Sequence, residues 1–533
     1  MTAQQLDIPV RRWVPDWLAV GLVFVIILPV TMLNGTYTGS MVEVSSTLGA
    51  YTEDITIGYY AASAGMAVAY PIVPKVLNSF SSKSLLLVDL TLQFFLSWIC
   101  ARSANTELLI VFSFIIGFLK GFLMLWLIRR IKFVFSPTDV RSEFYAYFYP
   151  LVFSGGQLSM VVTALLAYHY DWKYMYYFMM MMLIVSILMV IVLLRHDRPS
   201  RGIPLKELHP REMAIVSTGL LMLIYVVTYG KISDWMASPK ICVYIVVAPL
   251  LIALFLWEQF HSPRPYVSLK PLLQWKAILG YFYMIVVMFF STSTALLSNY
   301  MTTILKVDNM HNYTLYVYLI PGYILGAFVC FWWFRWQRWR FRFLIAGGMA
   351  CFVVFFGMLY FTISPDSTYE SLFLPLFFRG LGMMVLLIAF GLFVVEDLSP
   401  KLLIYNAFFL ITFRAVLAPV AASAFYSNVL YRLQQRYMVQ LSENVTMLDP
   451  LAASRYSSAL ESNLAQGRSI DEAMQLATNS LYAVLQQQSL LLALKHILGW
   501  LVAATLVIAV ISRFVPFHKT VRVPVIRTGE DMV

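Results

Sequence analysis

Long apolar runs alternate with short polar segments along almost the whole chain, from Trp17 to Ser512. A helix needs about 20 predominantly apolar residues to cross the hydrocarbon core of a bilayer, so each run of this length indicates a transmembrane helix. By this rule the sequence predicts about fourteen spans. Their approximate ranges are 17–40, 56–77, 84–101, 108–128, 143–168, 174–195, 213–229, 241–260, 277–303, 313–334, 343–363, 371–395, 402–427 and 488–512.

The composition agrees with this pattern and excludes a soluble protein. Hydrophobic residues make up 60% of the chain, charged residues only 12%, and the mean hydropathy is +0.75. These values predict an all-α integral membrane protein surrounded by membrane lipid. The formal charge of +11 does not indicate nucleic-acid binding, because the basic residues lie in short loops between apolar runs instead of on one soluble face.

The basic loops also predict an orientation. If the N-terminus is cytoplasmic, the basic segments at 129–132, 195–201, 335–342 and 513–527 all fall on the cytoplasmic side, as the positive-inside rule requires. An even number of spans then puts both termini in the cytoplasm. The first apolar run is too long for the core of a cleaved signal peptide, and we expect it to remain as the first span.

No motif of an enzyme or of a nucleotide-driven pump is visible. The chain contains no G-x-S-x-G, no H-E-x-x-H and no G-x-x-x-x-G-K-[ST] sequence. The four cysteines lie inside apolar runs without CxxC spacing, and we interpret them as packing residues. We therefore predict no catalytic residues, no metal and no cofactor, and any uphill transport would have to use an ion gradient.

Segment 431–487, between the last two predicted spans, is the only long segment outside the membrane. Its composition is helical, with a break at Asp449-Pro450 and with the S-x-x-E spacing of a capping box from Ser469 to Glu472. From this cap a helix is expected to run directly into the final span. The segment either returns the chain to the membrane or docks a partner, because loops beyond about 15 residues are usually functional or disordered.

Charged side chains inside the predicted spans are few, and each is costly enough to indicate a functional site. In the first half they are Glu43, Asp89 and Lys120, and in the second half Arg379 and Arg414 are the arginines among them. Lys120 lies roughly 12 Å from the end of its span, too deep to reach water easily. We expect it to point into the bundle, either towards a cavity or into a static ion pair, with Asp89 as the nearest candidate partner in depth.

Small and uncharged polar residues extend this set. Gly117 and Gly121 flank Lys120 on one helical stripe, which predicts a closely packed neighbouring helix. Serine and threonine in membrane helices usually bond to their own backbone. The amides of Gln157 and Asn299 are not expected to do so, and we predict that both line a substrate cavity.

At this point the layout resembles the major facilitator superfamily, in particular its fourteen-helix drug:proton antiporter branch. The similar features are a basic loop after the sixth span, two additional spans, the sequence RGLG at 379–382, Arg414 and the long outer loop. The resemblance implies a six-helix half over 1–212 with a cytoplasmic linker, a two-helix insert over 213–262, and a second six-helix half over 263–533. It also implies a bacterial inner membrane, an amphiphilic small-molecule substrate, and a periplasmic adaptor with an outer-membrane channel as partners at 431–487.

The chain also departs from the pattern of that branch. Asn34 stands where the branch usually has an aspartate in the first span, and only Lys83 remains of the basic end of the loop between spans two and three. Ser113 replaces the arginine expected early in the fourth span. Lys120 lies two turns from Ser113 on the same stripe, so the positive charge has moved along the helix.

Three functions remain open from the sequence. The first is proton-coupled export of amphiphilic compounds by alternating access, with Asp89 or Glu43 as the titrating group and Lys120 as its partner. The second is transport of anionic lipid-like, fatty-acid-like or bile-acid-like molecules. The third is a membrane scaffold or sensor that does not transport. For the first two, the candidate residues of the substrate cavity are Asn34, Gln157, Asn299, Arg379 and Arg414.

Overall fold

The computed structural model describes residues 9–137, 140–196, 208–336, 341–446, 448–515 and 517 of the chain. This part of the protein is built almost entirely of helices, as the apolar pattern predicts. Parts of three basic segments that support the predicted orientation, 197–201, 337–340 and 518–527, lie outside the described residues. The orientation in the membrane therefore stays a prediction.

Twenty α-helices follow one another along the described chain. The first eight are α1 (Asp16–Met32), α2 (Met41–Leu48), α3 (Thr52–Ala69), α4 (Val73–Ser79), α5 (Ser82–Arg102), α6 (Thr106–Phe135), α7 (Arg141–His169) and α8 (Tyr174–Leu193). Two more helices, α9 (Pro210–Tyr229) and α10 (Pro239–His261), pack against each other. The remaining ten are α11 (Trp275–Ser291), α12 (Thr294–Thr303), α13 (Asn309–Thr314), α14 (Leu319–Trp336), α15 (Phe341–Thr362), α16 (Phe373–Val395), α17 (Leu403–Ile411), α18 (Ala418–Asn444), α19 (Pro450–Ala465) and α20 (Ile470–Phe514).

The predicted spans all have helical counterparts. Twelve helical segments of the described chain are long and apolar enough to cross a membrane. The predicted spans outside this set are 17–40, which overlaps the shorter apolar helix α1, and 56–77, which overlaps the Gly- and Ala-rich helix α3. The boundaries 1–212, 213–262 and 263–533 of the two halves and the insert stay a prediction.

Residues 9–11 and the end of α8 meet at one face of the bundle, which we call the N-terminal face. The Lys83 ammonium group donates to the carbonyl oxygens of Ile191 (2.8 Å) and Leu194 (3.0 Å), at the C-terminal end of α8. The Arg11 guanidinium also donates to the Ile191 carbonyl oxygen, at 3.3 Å. Both cations lie where the helix dipole is negative, and they hold α1, α5 and α8 together at this face.

The first span is interrupted, which corrects the predicted range 17–40. Helix α1 ends at Met32 after 17 residues, and Leu33 is already extended. The Lys120 ammonium group donates to the carbonyl oxygens of Leu33 (2.9 Å) and Thr31 (3.5 Å), and to Asn34 Oδ1 (3.3 Å). Lys120 therefore satisfies acceptors at a helix end that lies inside the bundle.

The second half repeats this arrangement. Helix α11 also has 17 residues and ends at Ser291, before α12 begins at Thr294. The Arg379 guanidinium donates from Nη2 to the Ser291 carbonyl oxygen at 2.5 Å. Lys120 lies 87 residues after Leu33, and Arg379 lies 88 residues after Ser291. The two cations thus occupy corresponding positions in the two halves.

Helices α3 and α6 pack at close range, as the glycines beside Lys120 predict. A Cβ atom at Gly117 would overlap the Ala62 carbonyl oxygen, and one at Gly121 would lie 2.8 Å from the Ala69 Cβ. Small residues on both helices let the two backbones touch. This contact sets the position of α6, and with it the position of Lys120.

The described residues of segment 431–487 are mostly helical, as expected. They include the end of α18, helix α19 and the start of α20, and both α18 and α19 pack against α20. The Ser469 hydroxyl accepts a hydrogen bond from the Glu472 backbone N–H at 3.3 Å, which is the predicted N-terminal cap. Helix α20 then continues for 45 residues into the last span.

Replacing Gly117 by alanine is expected to destabilise the protein by about 1–3 kcal/mol, because the new methyl group has no room against the backbone of α3. The melting temperature in detergent micelles measures the effect. The matched control is Gly21→Ala on α1, where a Cβ atom would have nothing within 4 Å. Equal melting temperatures for the two variants would contradict the close contact of α3 and α6.

Replacing Lys120 by methionine should leave the Leu33 and Thr31 carbonyl oxygens without their donor and cost about 1–3 kcal/mol of stability. Lys401→Met, which removes an exposed ammonium group, is the control. Thermal unfolding of both variants and of the wild type in the same detergent tests the difference. A Lys120→Met protein as stable as the control would show that the lysine does not hold the end of α1.

Candidate functional site

A row of side chains on α7 faces the second half of the protein. Tyr149, Phe153 and Gln157 are spaced four residues apart, so they share one face of the helix. The Phe153 ring lies 6.1 Å from the Tyr323 ring of α14, measured between centroids. Gln157 Nε2 donates to the Tyr323 hydroxyl at 3.5 Å. We call this contact region between the two halves the central seam.

Arg414, which belongs to the second half, contacts the α7 side chains of the central seam. Its guanidinium carbon lies 5.6 Å from the ring centroids of both Tyr149 and Phe153, within the range of a cation–π interaction. The residue belongs to a single π-helical turn, Thr412–Leu417, between α17 and α18. Such turns insert an additional residue and re-aim side chains, and they are frequent at functional sites. Its Nη1 atom is buried and has no hydrogen-bond partner.

Arg379 lies deeper in the second half and is only 6% exposed. Nη2 bonds to Ser291, but Nε and Nη1 are buried without hydrogen-bond partners. Three tyrosines lie near enough to interact electrostatically with its guanidinium group, namely Tyr316, Tyr323 and Tyr426. Tyr323 also contacts Phe153 and Gln157, so Arg379 lies near the side chains that Arg414 contacts.

The seam has positive charge that no carboxylate compensates within the described residues. The ion pairs among the described residues join other side chains, such as Lys276 with Glu396 and Asp397, and Arg211 with Glu258. Neither Arg379 nor Arg414 joins such a pair in this part of the chain. A buried cation without a counter-charge is costly.

Lys120 and Asp89 do not form the expected ion pair. Lys120 bonds to the end of α1 and to Asn34, whereas Asp89 Oδ1 accepts from Gln93 Nε2 at 3.3 Å. Lys120 and Asp89 lie at similar depths along their helices but are not partners. Asp89 belongs to the buried face of α5, and α5 packs against α8. Among the described ion pairs, none joins these two residues.

Glu43 connects the two halves on the side away from the N-terminal face. Asn309 Nδ2 donates to both carboxylate oxygens of Glu43, at 2.6 and 2.8 Å, and to the Gly39 carbonyl oxygen at 3.4 Å. The structure therefore places Glu43 in a contact between α2 and the start of α13. Sequence reasoning did not identify Asn309, since a single amide at a helix start carries no distinctive signal.

The two candidate amides have different surroundings. Gln157 lies in the central seam, and its place in a substrate cavity stays a prediction. Asn299 is exposed and donates to the Ala295 carbonyl oxygen of its own helix at 2.8 Å. The expectation that Asn299 must bond outside its own helix is wrong, because an asparagine can satisfy its amide four residues back, as serine and threonine do.

The tyrosines of the seam were missed because tyrosine in an apolar run is indistinguishable from a packing residue. The four-residue spacing of Tyr145, Tyr149, Phe153 and Gln157 was the readable signal, since it predicts one aromatic stripe that ends in an amide. Metal ligands do not add to this picture. Within the described residues, no group of three or more histidine, cysteine or acidic side chains is placed to hold a metal ion.

Comparisons with known proteins agree with this architecture. No curated protein matches the sequence. A POT family transporter in complex with 5-aminolevulinic acid has a similar structure, with a TM-score of 0.54, 11% identity, and coverage of 81% of this chain and 94% of that one. A peptide transporter POT in complex with sulfate also has a TM-score of 0.54, with 13% identity and coverage of 96% and 99%. At these identities the likeness concerns the fold alone.

The family comparison covers most of the chain. The model of the Major Facilitator Superfamily matches residues 22–423, well over half of the 533 residues. The match includes α7, the π-helical turn, α11 and most of α1. The chain therefore belongs to the Major Facilitator Superfamily and is a multi-pass membrane transporter, not an enzyme.

Proposed function

We propose that this protein is a secondary transporter of amphiphilic organic anions, with the anionic group bound between Arg379 and Arg414. The observation that carries the proposal is the set of buried guanidinium N–H groups without partners: Nε and Nη1 of Arg379 and Nη1 of Arg414. A carboxylate or sulfonate would satisfy these donors and the charge together, and a guanidinium group matches the planar geometry of a carboxylate.

The aromatic side chains of the seam explain why the substrate is amphiphilic. Tyr149 and Phe153 on α7 present their rings to Arg414, and Tyr323 on α14 packs edge to face on Phe153. An apolar body can pack on these rings while the charged group binds the guanidinium groups. Gln157 contributes an amide for an additional hydrogen bond.

Contacts between the halves on both sides of the seam support alternating access. On one side Glu43 bonds to Asn309, and on the N-terminal face Arg141 Nη1 donates to the Val395 carbonyl oxygen at 3.5 Å. The contact of Asn309 includes three hydrogen bonds, and that of Arg141 is a single one. Breaking one set while the other holds would open the seam to one side of the membrane at a time.

The placement in a bacterial inner membrane, with both termini in the cytoplasm, belongs to this proposal. So does the docking of a periplasmic adaptor and an outer-membrane channel on segment 431–487. The support is the geometry of that segment, which extends α20 beyond the last span and leaves Leu448 and Leu451 exposed at the turn between α18 and α19.

Proton-coupled export of amphiphilic drugs, as in the antiporter branch, remains the second candidate. It is favoured by Asp89, a buried carboxyl group whose Oδ2 atom has no hydrogen-bond partner. The two candidates differ in the charge of the substrate, so one uptake experiment separates them.

Purified protein in liposomes should take up naphthalene-2-sulfonate and not the matched cation (naphthylmethyl)trimethylammonium. Both probes carry a permanent charge, so the choice of buffer does not change their ionisation. Arg379→Gln is expected to lower sulfonate uptake at subsaturating concentration by roughly tenfold or more, because a hydrogen bond to a charged group contributes about 1.5–3 kcal/mol.

Arg264→Gln, which removes an exposed arginine between α10 and α11, is the matched control and should leave uptake unchanged. Uptake of the cation by the wild type, without uptake of the sulfonate, would support the antiporter candidate. Equal sulfonate uptake by wild type and Arg379→Gln would overturn the assignment of the binding site.

A further inference from the structure

Two positive charges at the N-terminal face share one acceptor. The Lys83 ammonium group and the Arg11 guanidinium group both donate to the Ile191 carbonyl oxygen, at 2.8 and 3.3 Å. Arg11 is also the charged group that acts electrostatically on Lys83. Among the described residues, no ion pair joins either cation to a carboxylate. Like charges at this separation repel each other, so the two cations lack a counter-charge.

The end of α8 needs only one of these cations. Lys83 by itself donates to the carbonyl oxygens of both Ile191 and Leu194, the latter at 3.0 Å. Arg11 brings a second positive charge to the same place and adds a single further bond. Capping of the helix therefore explains Lys83, but it does not explain why a repelling charge is added beside it. An anion in contact with both cations would remove the repulsion.

Both cations have N–H donors left over for such an anion. An ammonium group has three donors and a guanidinium group has five. Lys83 bonds to two carbonyl oxygens, so one of its donors remains. Arg11 is exposed, and the bond to Ile191 is the only one that its side chain makes within the described residues. The remaining donors are suited to the oxygens of a phosphate group.

An apolar surface leads from the two cations into the membrane. Val88, one turn after Ser84 on α5, is 59% exposed, and Leu188, one turn before Ile191 on α8, is 56% exposed. Helices α5 and α8 pack against each other, so both side chains lie just below the cations. The surface is continued deeper by further exposed residues of the two helices, namely Leu92, Phe95, Ile184 and Val185.

Tryptophans and further basic residues lie at the same level. Trp13 and Trp17, at the start of α1, are both exposed, and tryptophan is enriched where the membrane meets water. Arg12 and Arg195 are exposed as well. The Arg195 backbone N–H donates to the Pro9 carbonyl oxygen at 2.7 Å, which keeps Arg195 beside residues 9–11. The two cations thus lie at the level of the lipid headgroups, among other positive charges.

We propose that Arg11 and Lys83 bind the phosphodiester group of an anionic phospholipid in the leaflet at the N-terminal face. Its oxygens accept from the remaining donors of both cations and supply the missing negative charge. Its acyl chains lie on the apolar surface of α5 and α8. A zwitterionic lipid fits less well, because its own cation would meet Arg12 and Arg195. This lipid site is separate from the central seam and does not depend on the proposed substrate.

Native mass spectrometry of the purified full chain in detergent tests the lipid site. Dioleoylphosphatidylglycerol and dioleoylphosphatidylcholine have the same acyl chains and differ in headgroup charge. The wild type should retain the first lipid in preference to the second. Arg11→Gln should weaken binding of phosphatidylglycerol by roughly fivefold, because it removes one basic residue from contact with an anionic headgroup. Arg11→Lys keeps the positive charge and should restore most of the binding.

Arg264→Gln, which removes an exposed arginine between α10 and α11, is the matched control and should bind phosphatidylglycerol like the wild type. Equal retention of the two lipids by the wild type would overturn the proposal, and this comparison needs no variant to fold. Unchanged phosphatidylglycerol binding in a folded Arg11→Gln protein would also overturn it. Displacement of the lipid by inorganic phosphate at equal concentration would identify a site for soluble anions instead. Since no transport substrate is present, none of these results bears on the proposed function.

Discussion

Positive charge placed against the ends of two interrupted helices is the interaction on which the rest of this structure depends. A helix that stops inside a membrane leaves carbonyl oxygens without donors, and no water is available to replace them. Lys120 supplies the donor for α1, and Arg379 supplies it for α11. Each cation also meets the negative end of a helix dipole. Because these ends are stabilised, the first helix of each half can stop midway through the bundle.

The same position serves different purposes in the two halves because lysine and arginine differ in their donors. The Lys120 ammonium group has three acceptors around it, all at the end of α1. One nitrogen of the Arg379 guanidinium donates to Ser291, and its other two nitrogens are buried without hydrogen-bond partners. An arginine has five N–H donors in a fixed plane, so it can hold a helix end and still present donors to a ligand. The lysine is thus an anchor and the arginine a candidate binding group.

The segment between α1 and α2 connects the separate polar features of the protein. Leu33 accepts from Lys120, Gly35 accepts from Tyr176, and the Tyr37 ring packs edge to face on the Tyr176 ring. A few residues further on, Glu43 bonds to Asn309 of the second half. All of these contacts lie within fewer than a dozen residues of backbone, from Leu33 to Glu43. An interruption of the first span therefore gives the transporter a place where the interior and the contact between the halves meet.

The sequence by itself determined that this is a polytopic helical protein, roughly where its helices lie, and that a few charges are buried in it. These properties follow from the length of apolar runs and the cost of charge in lipid, which are local or one-dimensional. It also determined the close contact beside Gly117 and the cap at Ser469. Only the tertiary structure decided the partners of Lys120, Asp89 and Glu43, and the stop of α1 at Met32. Depth in the membrane can be read along the chain. The rotation of each helix and the choice of its neighbours instead depend on residues that are far away in sequence. The bond from Lys120 to Leu33, almost ninety positions apart, demonstrates this.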